Sequence, residues 1–188
     1  MKSRLVDFNK WKDPIYNWAQ NINAKFTISR DVSMGMMGES YTIEIEYKQN
    51  NLNPIIISQN GSGSKFEVVP QFVIIKYIDN HLIDFNLSLY QKSFIERIFN
   101  QGNVKTGNKN FDKKYGVYTS DKTLVTKLFS EKRIQEIFLK NNLLILNAQK
   151  ENSTILIKNM ELKLREAIEF QRLLDDFIFI LEFLKKYK

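Results

Sequence analysis

Few side chains in this chain are of a type and spacing that could carry a reaction, and the setting of each limits its chemistry. The one histidine, His81, lies between Asp79 and Asp84, close enough in sequence for a carboxylate to orient an imidazole acting as general base. A lone histidine cannot build a histidine-rich metal site, and its acidic neighbours lack ligand spacing. Glu44 and Glu46 are a candidate carboxylate pair, but they alternate with Tyr41, Ile43, Ile45 and Tyr47, which reads as the wet face of a strand. The run Gln59-Asn60-Gly61-Ser62-Gly63-Ser64-Lys65 has the glycines and lysine of a phosphate cradle. It lacks the Gly-Lys-Ser/Thr that opens a helix in such loops, and the strand-like Phe66-Glu67-Val68-Val69 follows, so a flexible hairpin loop is expected. There is no cysteine, which removes thiolate nucleophiles, thiolate metal sites and disulfides together. No cofactor, metal site or catalytic set is expected, and the chain reads as non-enzymatic. A hydrolase built on the His81 hairpin is the catalytic alternative.

Charge suggests a second kind of candidate. The net charge is +7, with 11 basic and 10 acidic residues through position 100 and 17 basic against 11 acidic after it. The excess centres on Lys105, Lys109, Lys113, Lys114, Lys122, Lys127, Lys132 and Arg133. Such a surface attracts nucleic acid or an anionic surface through counterion release. Lysine outnumbers arginine there, whereas base and phosphate forks favour arginine. A solvated lysine-rich surface is therefore the plainer reading.

These residues need a frame. A chain of 188 residues fits one domain, with a sub-division near 100–105 as the alternative. The hydrophobic share of 43% and charged share of 26% are ordinary globular values. Residues 1–9 carry no apolar run of signal-peptide length, and the most apolar stretch, 177–184, is about half of the ~20 residues that span a bilayer. With no cysteine, a soluble chain in a reducing, cytoplasmic setting is expected.

The order of elements points to an α+β fold: an antiparallel sheet covered by helices, with a long C-terminal helix. Asp13-Pro14 marks a helix start, and Ile15, Trp18, Ala19 and Ile22 give it an apolar stripe. Strands are expected at 26 to 32 and 40 to 48, with a Met34–Gly38 loop between them, and at 54 to 58, where Ile55-Ile56-Ile57 suits a strand covered on both faces. Residues 71–85 read as a hairpin turning at Asp79-Asn80. Leu87 to Asn100 reads as a helix. Ser120 and Ser130 are placed to cap two short helices. Strands over 143–148 and 154–158 then pair, and a helix from about Met160 to Tyr187 closes the chain. That last helix is apolar around more than half its circumference, which calls for burial between sheet and helix or for a second subunit.

The stretch from Lys105 to Asp121 is the hinge of this plan. It reads as a tight turn at Thr106-Gly107-Asn108 feeding a strand at 114 to 118, with Phe111, Tyr115 and Val117 on one face. Thr106-Gly107-Asn108, Phe111-Asp112, Tyr115 and the following Thr-Ser-Asp helix start resemble a bacterial domain-of-unknown-function family with a Thr-Gly-Asp-x-x-Phe-Asp-x-x-Phe-like signature. Asn108 stands where that family has an acid, and Tyr115 where it has Phe. The resemblance covers about residues 104–180, supports the fold, and brings no established activity with it. Read physically, Gly107 supplies positive φ, Asn108 bonds its own backbone, Asp112 caps an amine or meets a lysine, and the two rings plug the junction of sheet and helices. The function expected is a non-enzymatic binding or protein-interaction module working through the final helix or the Met34–Gly38 loop. Partners are an unknown protein or a second copy.

Overall fold

Apolar and polar residues alternate through Tyr41–Lys48, and alternation of period two dictates a strand with one wet and one dry face. The computed structural model, which describes residues 6–32, 39–49, 52–79, 83–93, 104–141, 143–148, 154–159 and 167–186, builds that pattern into a large antiparallel sheet. Its strands are β1 (Val6–Asp7), β2 (Lys25–Val32), β3 (Glu39–Tyr47), β4 (Ile55–Gly63), β5 (Glu67–Ile78), β6 (Leu87–Gln91), β7 (Tyr115–Thr119), β8 (Leu143–Ala148) and β9 (Thr154–Asn159). The helices are α1 (Phe8–Asn21), α2 (Lys109–Lys114), α3 (Lys122–Ser130), α4 (Lys132–Asn141) and α5 (Ala167–Lys185). The spatial order is β2-β3-β4-β5-β9-β8-β6-β7, with β1 on the same flank of β5 as β9 but at its other end. The fold class is therefore α+β, as the order of elements implies.

The register explains where the core lies. Phe26, Ile45, Ile57 and Ile75 are successive cross-strand partners, and the register continues through Ile157, Leu146, Leu89 and Val117. Partners in an antiparallel pair share a face, so one apolar row crosses eight strands. Ile45, Ile57, Ile75, Leu146, Leu89 and Val117 are buried. Helices cover this side. In α1, Trp18 stacks on Phe170 of α5 at 5.4 Å and its indole N–H donates to Gln171 Oε1 at 2.9 Å. Phe170, Leu173, Leu174, Phe177, Ile180, Leu181 and Leu184 of α5 are buried, and Arg133 of α4 lies over the Phe179 ring at 3.9 Å. Most of the apolar surface of α5 is thus used within the chain; Ile168 is left exposed. Among the described residues no helix is long and apolar enough to cross a membrane.

Several local expectations are corrected. The first helix starts at Phe8, capped by Asp7, whose carboxylate accepts from Lys10 N at 3.0 Å, and Pro14 lies inside it. Burial of Trp11 against β4 favours the longer helix over the proline signal. β4 runs on to Gly63, so most of the glycine-serine run is strand, and its buried and half-buried residues alternate rather than being covered on both faces. β5 continues through Pro70, which is opposite Gly61 beside a register shift, a bulge being where a strand tolerates proline. The expected hairpin over 71–85 is absent: β5 pairs with β4, β9 and β1, and residues 83–86 form no strand. Residues 87–91 are the strand β6, not a helix, because Leu87 and Leu89 point into the core between β7 and β8. His81, the Met34–Gly38 loop and residues 94–100 lie outside the described residues.

Trp11 fixes α1 to the sheet. Its indole N–H donates to the buried Gln59 at 3.0 Å, and its ring lies where a Cβ on Gly61 would sit 3.0 Å from it. Gly61→Ala therefore forces a buried ring to shift, at a cost of about 1–3 kcal/mol. A urea titration should show a lower midpoint at unchanged slope, with altered tryptophan emission in the native baseline.

Candidate functional site

The motif residues from Thr106 to Tyr115 meet at the end of the sheet, and their contacts follow from local chemistry. Gly107 adopts φ +83, a left-handed conformation that costs an L-residue about 1–2 kcal/mol. Asn108 then caps α2, its side-chain oxygen accepting from Asn110 N at 3.1 Å and Phe111 N at 3.2 Å. Asp112, one turn on, folds back: its Oδ1 accepts from both the amide and the hydroxyl of Thr106 at 2.9 Å. The strand expected at 114 to 118 is β7, but Phe111 stands on the helix α2 and not on a strand face shared with Tyr115 and Val117. A single helical turn between them lets Phe111 and Tyr115 approach to 4.9 Å.

Both rings are buried. Phe111 also meets Phe129 of α3 at 5.4 Å and Phe138 of α4 at 6.3 Å, and Tyr115 meets Phe138 edge-on at 5.8 Å. The Tyr115 hydroxyl donates to the Phe138 carbonyl at 2.9 Å. Burial pushes its phenol well above the usual range, and burial likewise raises Tyr77 and Tyr41.

Two residues that sequence reasoning did not single out complete the junction. Gln135 is buried in α4, accepts from Asn108 Nδ2 at 2.6 Å and donates to the Phe129 carbonyl. Lys92 is 2% exposed; its backbone N–H donates to the Lys114 carbonyl at 2.8 Å and its ammonium to the Asp112 carbonyl at 2.7 Å. It thus serves carbonyls at the C-terminal end of α2, where helix acceptors lack partners and positive charge is favoured. In sequence Gln135 is distinguished only by being a polar residue among Ile134, Ile137 and Phe138. Nothing in the pattern around Lys92 signalled its burial.

The hydroxyls expected to cap helices do other work. Ser120 Oγ accepts from Asn86 N at 2.9 Å, tying β7 to the entrance of β6, and Glu131 rather than Ser130 accepts from the first turn of α4, from Arg133 N at 3.3 Å. Ser130 Oγ donates back to Lys127 O at 2.6 Å.

The basic residues are spread over several elements. Lys105 precedes the turn; Lys109, Lys113 and Lys114 are on α2, Lys122 and Lys127 on α3, Lys132 and Arg133 on α4. All but Lys114 are exposed; Lys114 is half-buried with its ammonium 5.5 Å from the Tyr115 ring centre. Glu44 is exposed, and Glu46 lies 3.3 Å from Lys48 and 3.9 Å from Lys25. Among the described residues no group of three or more His, Cys, Asp or Glu is placed to hold a metal ion.

At the far edge of the sheet the burial is the reverse of that at the junction. β2 is exposed along its length except at half-buried Phe26, which meets Tyr16 of α1 edge-on at 5.3 Å. Ile28 and Val32 are 39% and 62% exposed, and Arg30 is bonded to Glu39, which also accepts from the Tyr41 hydroxyl. These contacts hold the Glu39 carboxyl below its ordinary value, the Tyr41 bond first and Arg30 second.

Two predictions follow from the junction. Nothing lies within 4 Å of a Cβ built on Gly107, so Gly107→Ala loses stability through backbone strain alone, about 1 kcal/mol, while Gly107→Asn loses less; chemical denaturation of the two variants compares them. Tyr115, Tyr77 and Tyr41 are held neutral by the fold, so the unfolded chain releases its phenol protons first. Stability is then intact below the ordinary phenol value of about 10 and falls as pH rises above it. Tyr115→Phe should flatten that alkaline fall and lower the neutral-pH plateau by about 1 kcal/mol, the worth of the lost hydrogen bond.

No family model, curated protein or solved structure matches the chain.

Proposed function

We propose that this chain is a non-enzymatic protein-interaction module whose contact surface is the free edge of β2. The observation that carries the reading is the exposure of that strand. Eight residues long and free of proline and glycine, β2 pairs only with β3 among the described residues and leaves Ile28 and Val32 open to solvent. An edge of this kind presents a row of backbone donors and acceptors to any extended segment that adds a strand. The junction at Asn108–Tyr115 supports the non-enzymatic half of the reading, since its rings are buried and its described polar bonds go to backbone or to neighbouring side chains. The final helix, the surface first expected to make contacts, has spent most of its apolar area inside the chain.

A second reading, weak binding of nucleic acid or an anionic surface, is favoured by the exposure of Lys109, Lys113, Lys122, Lys127 and Lys132. A filter-binding titration across salt separates the two, because electrostatic binding weakens steeply as salt rises.

The test of the leading reading compares the wild type with the double variant Ile28→Lys and Val32→Lys, which sets charges on the inward face of the strand as natural edges do to block pairing. Light scattering and affinity capture should show association, with self or with another chain, in the wild type and its loss in the variant. A wild type that is strictly monomeric and retains no partner overturns the reading.

A further inference from the structure

Resting on that reading of β2 as a docking edge, we propose that the strand it receives is β2 of a second copy, antiparallel and centred on Ile28. The argument is one of register. A two-fold axis perpendicular to the sheet keeps the helix-covered faces of both copies on the same side, so inward residues must oppose inward residues. Phe26, Ile28, Arg30 and Val32 share the face of Ile45, Ile43, Tyr41 and Glu39, their partners on β3. Lys25, Thr27, Ser29 and Asp31 take the other face.

Centring on Ile28 places Lys25 opposite Asp31 twice, Thr27 opposite Ser29 twice, Phe26 opposite Arg30 twice, and Ile28 opposite its own copy. Opposite charges and an Arg-aromatic pair are stabilising in directly opposed positions. The neighbouring two-fold registers oppose no pair of opposite charges, although centring on Ser29 sets Phe26 against Val32 and centring on Thr27 sets Phe26 against Ile28. Centring on Ser29 sets Thr27 against Asp31 and Ile28 against Arg30; centring on Arg30 opposes two like charges. Centring on Thr27 leaves Asp31 beyond the paired stretch. The sequence Lys25-Phe26-Thr27-Ile28-Ser29-Arg30-Asp31 is thus charge-complementary to its own reverse in only one of these alignments.

Side chains and cover agree with that alignment. Lys25 is 71% exposed and 3.9 Å from Glu46, at the outer limit of an ion pair, so its ammonium can turn to Asp31 of the other copy. Arg30 is charge-compensated by Glu39 within its own copy, which removes the repulsion that an inward arginine brings to a pairing edge. The helix cover is also complementary. Tyr16 of α1 packs on Phe26, near one end of β2, and leaves the Arg30–Val32 end bare. The two-fold axis sets the covered end of each copy beside the bare end of the other, giving a continuous sheet with α1 of both copies on one side.

The experiment is sedimentation velocity with light scattering on the full chain from about 1 to 200 µM, the range expected of an interface at the small end of specific ones. Three proteins are compared: wild type, Asp31→Lys, and the charge-exchanged Lys25→Asp with Asp31→Lys. The wild type should dimerise. Asp31→Lys, which turns two attractions into two repulsions at exposed positions, should weaken the dimer about tenfold or more. The exchanged variant should restore it, and salt should weaken the wild-type dimer. Circular dichroism checks that each variant is folded. A wild type that stays monomeric through this range overturns self-pairing, and capture of a different chain that Ile28→Lys with Val32→Lys abolishes would still leave β2 a docking edge. A dimer that Asp31→Lys leaves unchanged, or that the exchanged variant fails to restore, overturns the register.

Discussion

The row of apolar partners running from Phe26 on β2 to Val117 on β7 is the constraint on which the rest of the structure depends. A slip of one residue in any pairing along it would turn that strand's apolar residues to the wrong face. The row also dictates where helices must lie, because one face of the sheet has to be kept from water. α1 and α5 are joined through Trp18, Phe170 and Gln171, and α4 reaches α5 through Arg133 and Phe179. Burial is complete at Ile45, Ile57 and Ile75 and again at Leu146, Leu89 and Val117, and incomplete at Phe26 of β2, where the helical cover runs out. The exposed edge is therefore a consequence of how much sheet the helices can roof.

At the opposite edge the same requirement is met by a different device. β7 is short, and Val104 N donates to Val117 O at 3.3 Å, so the chain before the motif covers part of its outer side. α2 is only six residues long, too short to persist by its own hydrogen bonds, since a helix nucleus is unfavourable and gains little from a single turn. It is held by Asn108 at one end, by the Lys92 ammonium and amide at the other, and by Phe111 beneath it. The Asn108 oxygen at one end and the Lys92 amide and ammonium at the other satisfy backbone groups that the short helix leaves unpaired, while Asp112 closes the Thr106 turn and Asn108 Nδ2 reaches Gln135. These contacts give the motif residues a structural task at the junction of sheet and helices.

Much of this frame was legible in the sequence, and what was not has identifiable causes. Alternation in Tyr41–Tyr47 gave a strand because a two-residue period has a single structural meaning, and the continuous apolar runs at 143–148 and 154–158 gave strands because they are short and separated by a polar turn. The stripe of Ile15, Trp18 and Ala19 gave α1, but Asp13-Pro14 misplaced its start, since a tertiary contact by Trp11 outweighs a local signal worth a kilocalorie or so. Leu87–Gln91 failed for a related reason: five residues are too few to tell a buried strand from a helix turn, and the apolar residues after them suggested the longer element. The glycine-serine run looked like a loop because small polar residues usually are; here Gly61 is small so that Trp11 can lie on it. At the junction, Gly107, Asn108, Phe111 and Tyr115 were readable from residue type and spacing. Lys92 was not, because a lysine is buried only when distant chain supplies its acceptors, and the sequence does not show which segments will be neighbours.

The two edges differ in a way that bears on where a partner can act. A contact at β7 would have to displace chain already bonded there and disturb an aromatic cluster in which Phe111, Phe129 and Phe138 are fully buried, a loss of several kilocalories per mole before any gain. Among the described residues only β3 pairs with β2, so a contact at its outer side displaces none of them. The backbone of that strand is already extended and held in register by β3, so most of the ordering cost of adding a strand has been met in the free chain. Lys25 lies at one end of the strand and Arg30 and Asp31 near the other, with Phe26 and Ile28 between them, so docking specificity there rests on position along the strand rather than on a pocket. A fold that spends its aromatic residues sealing one end of a sheet leaves the other end as the place where association is least costly.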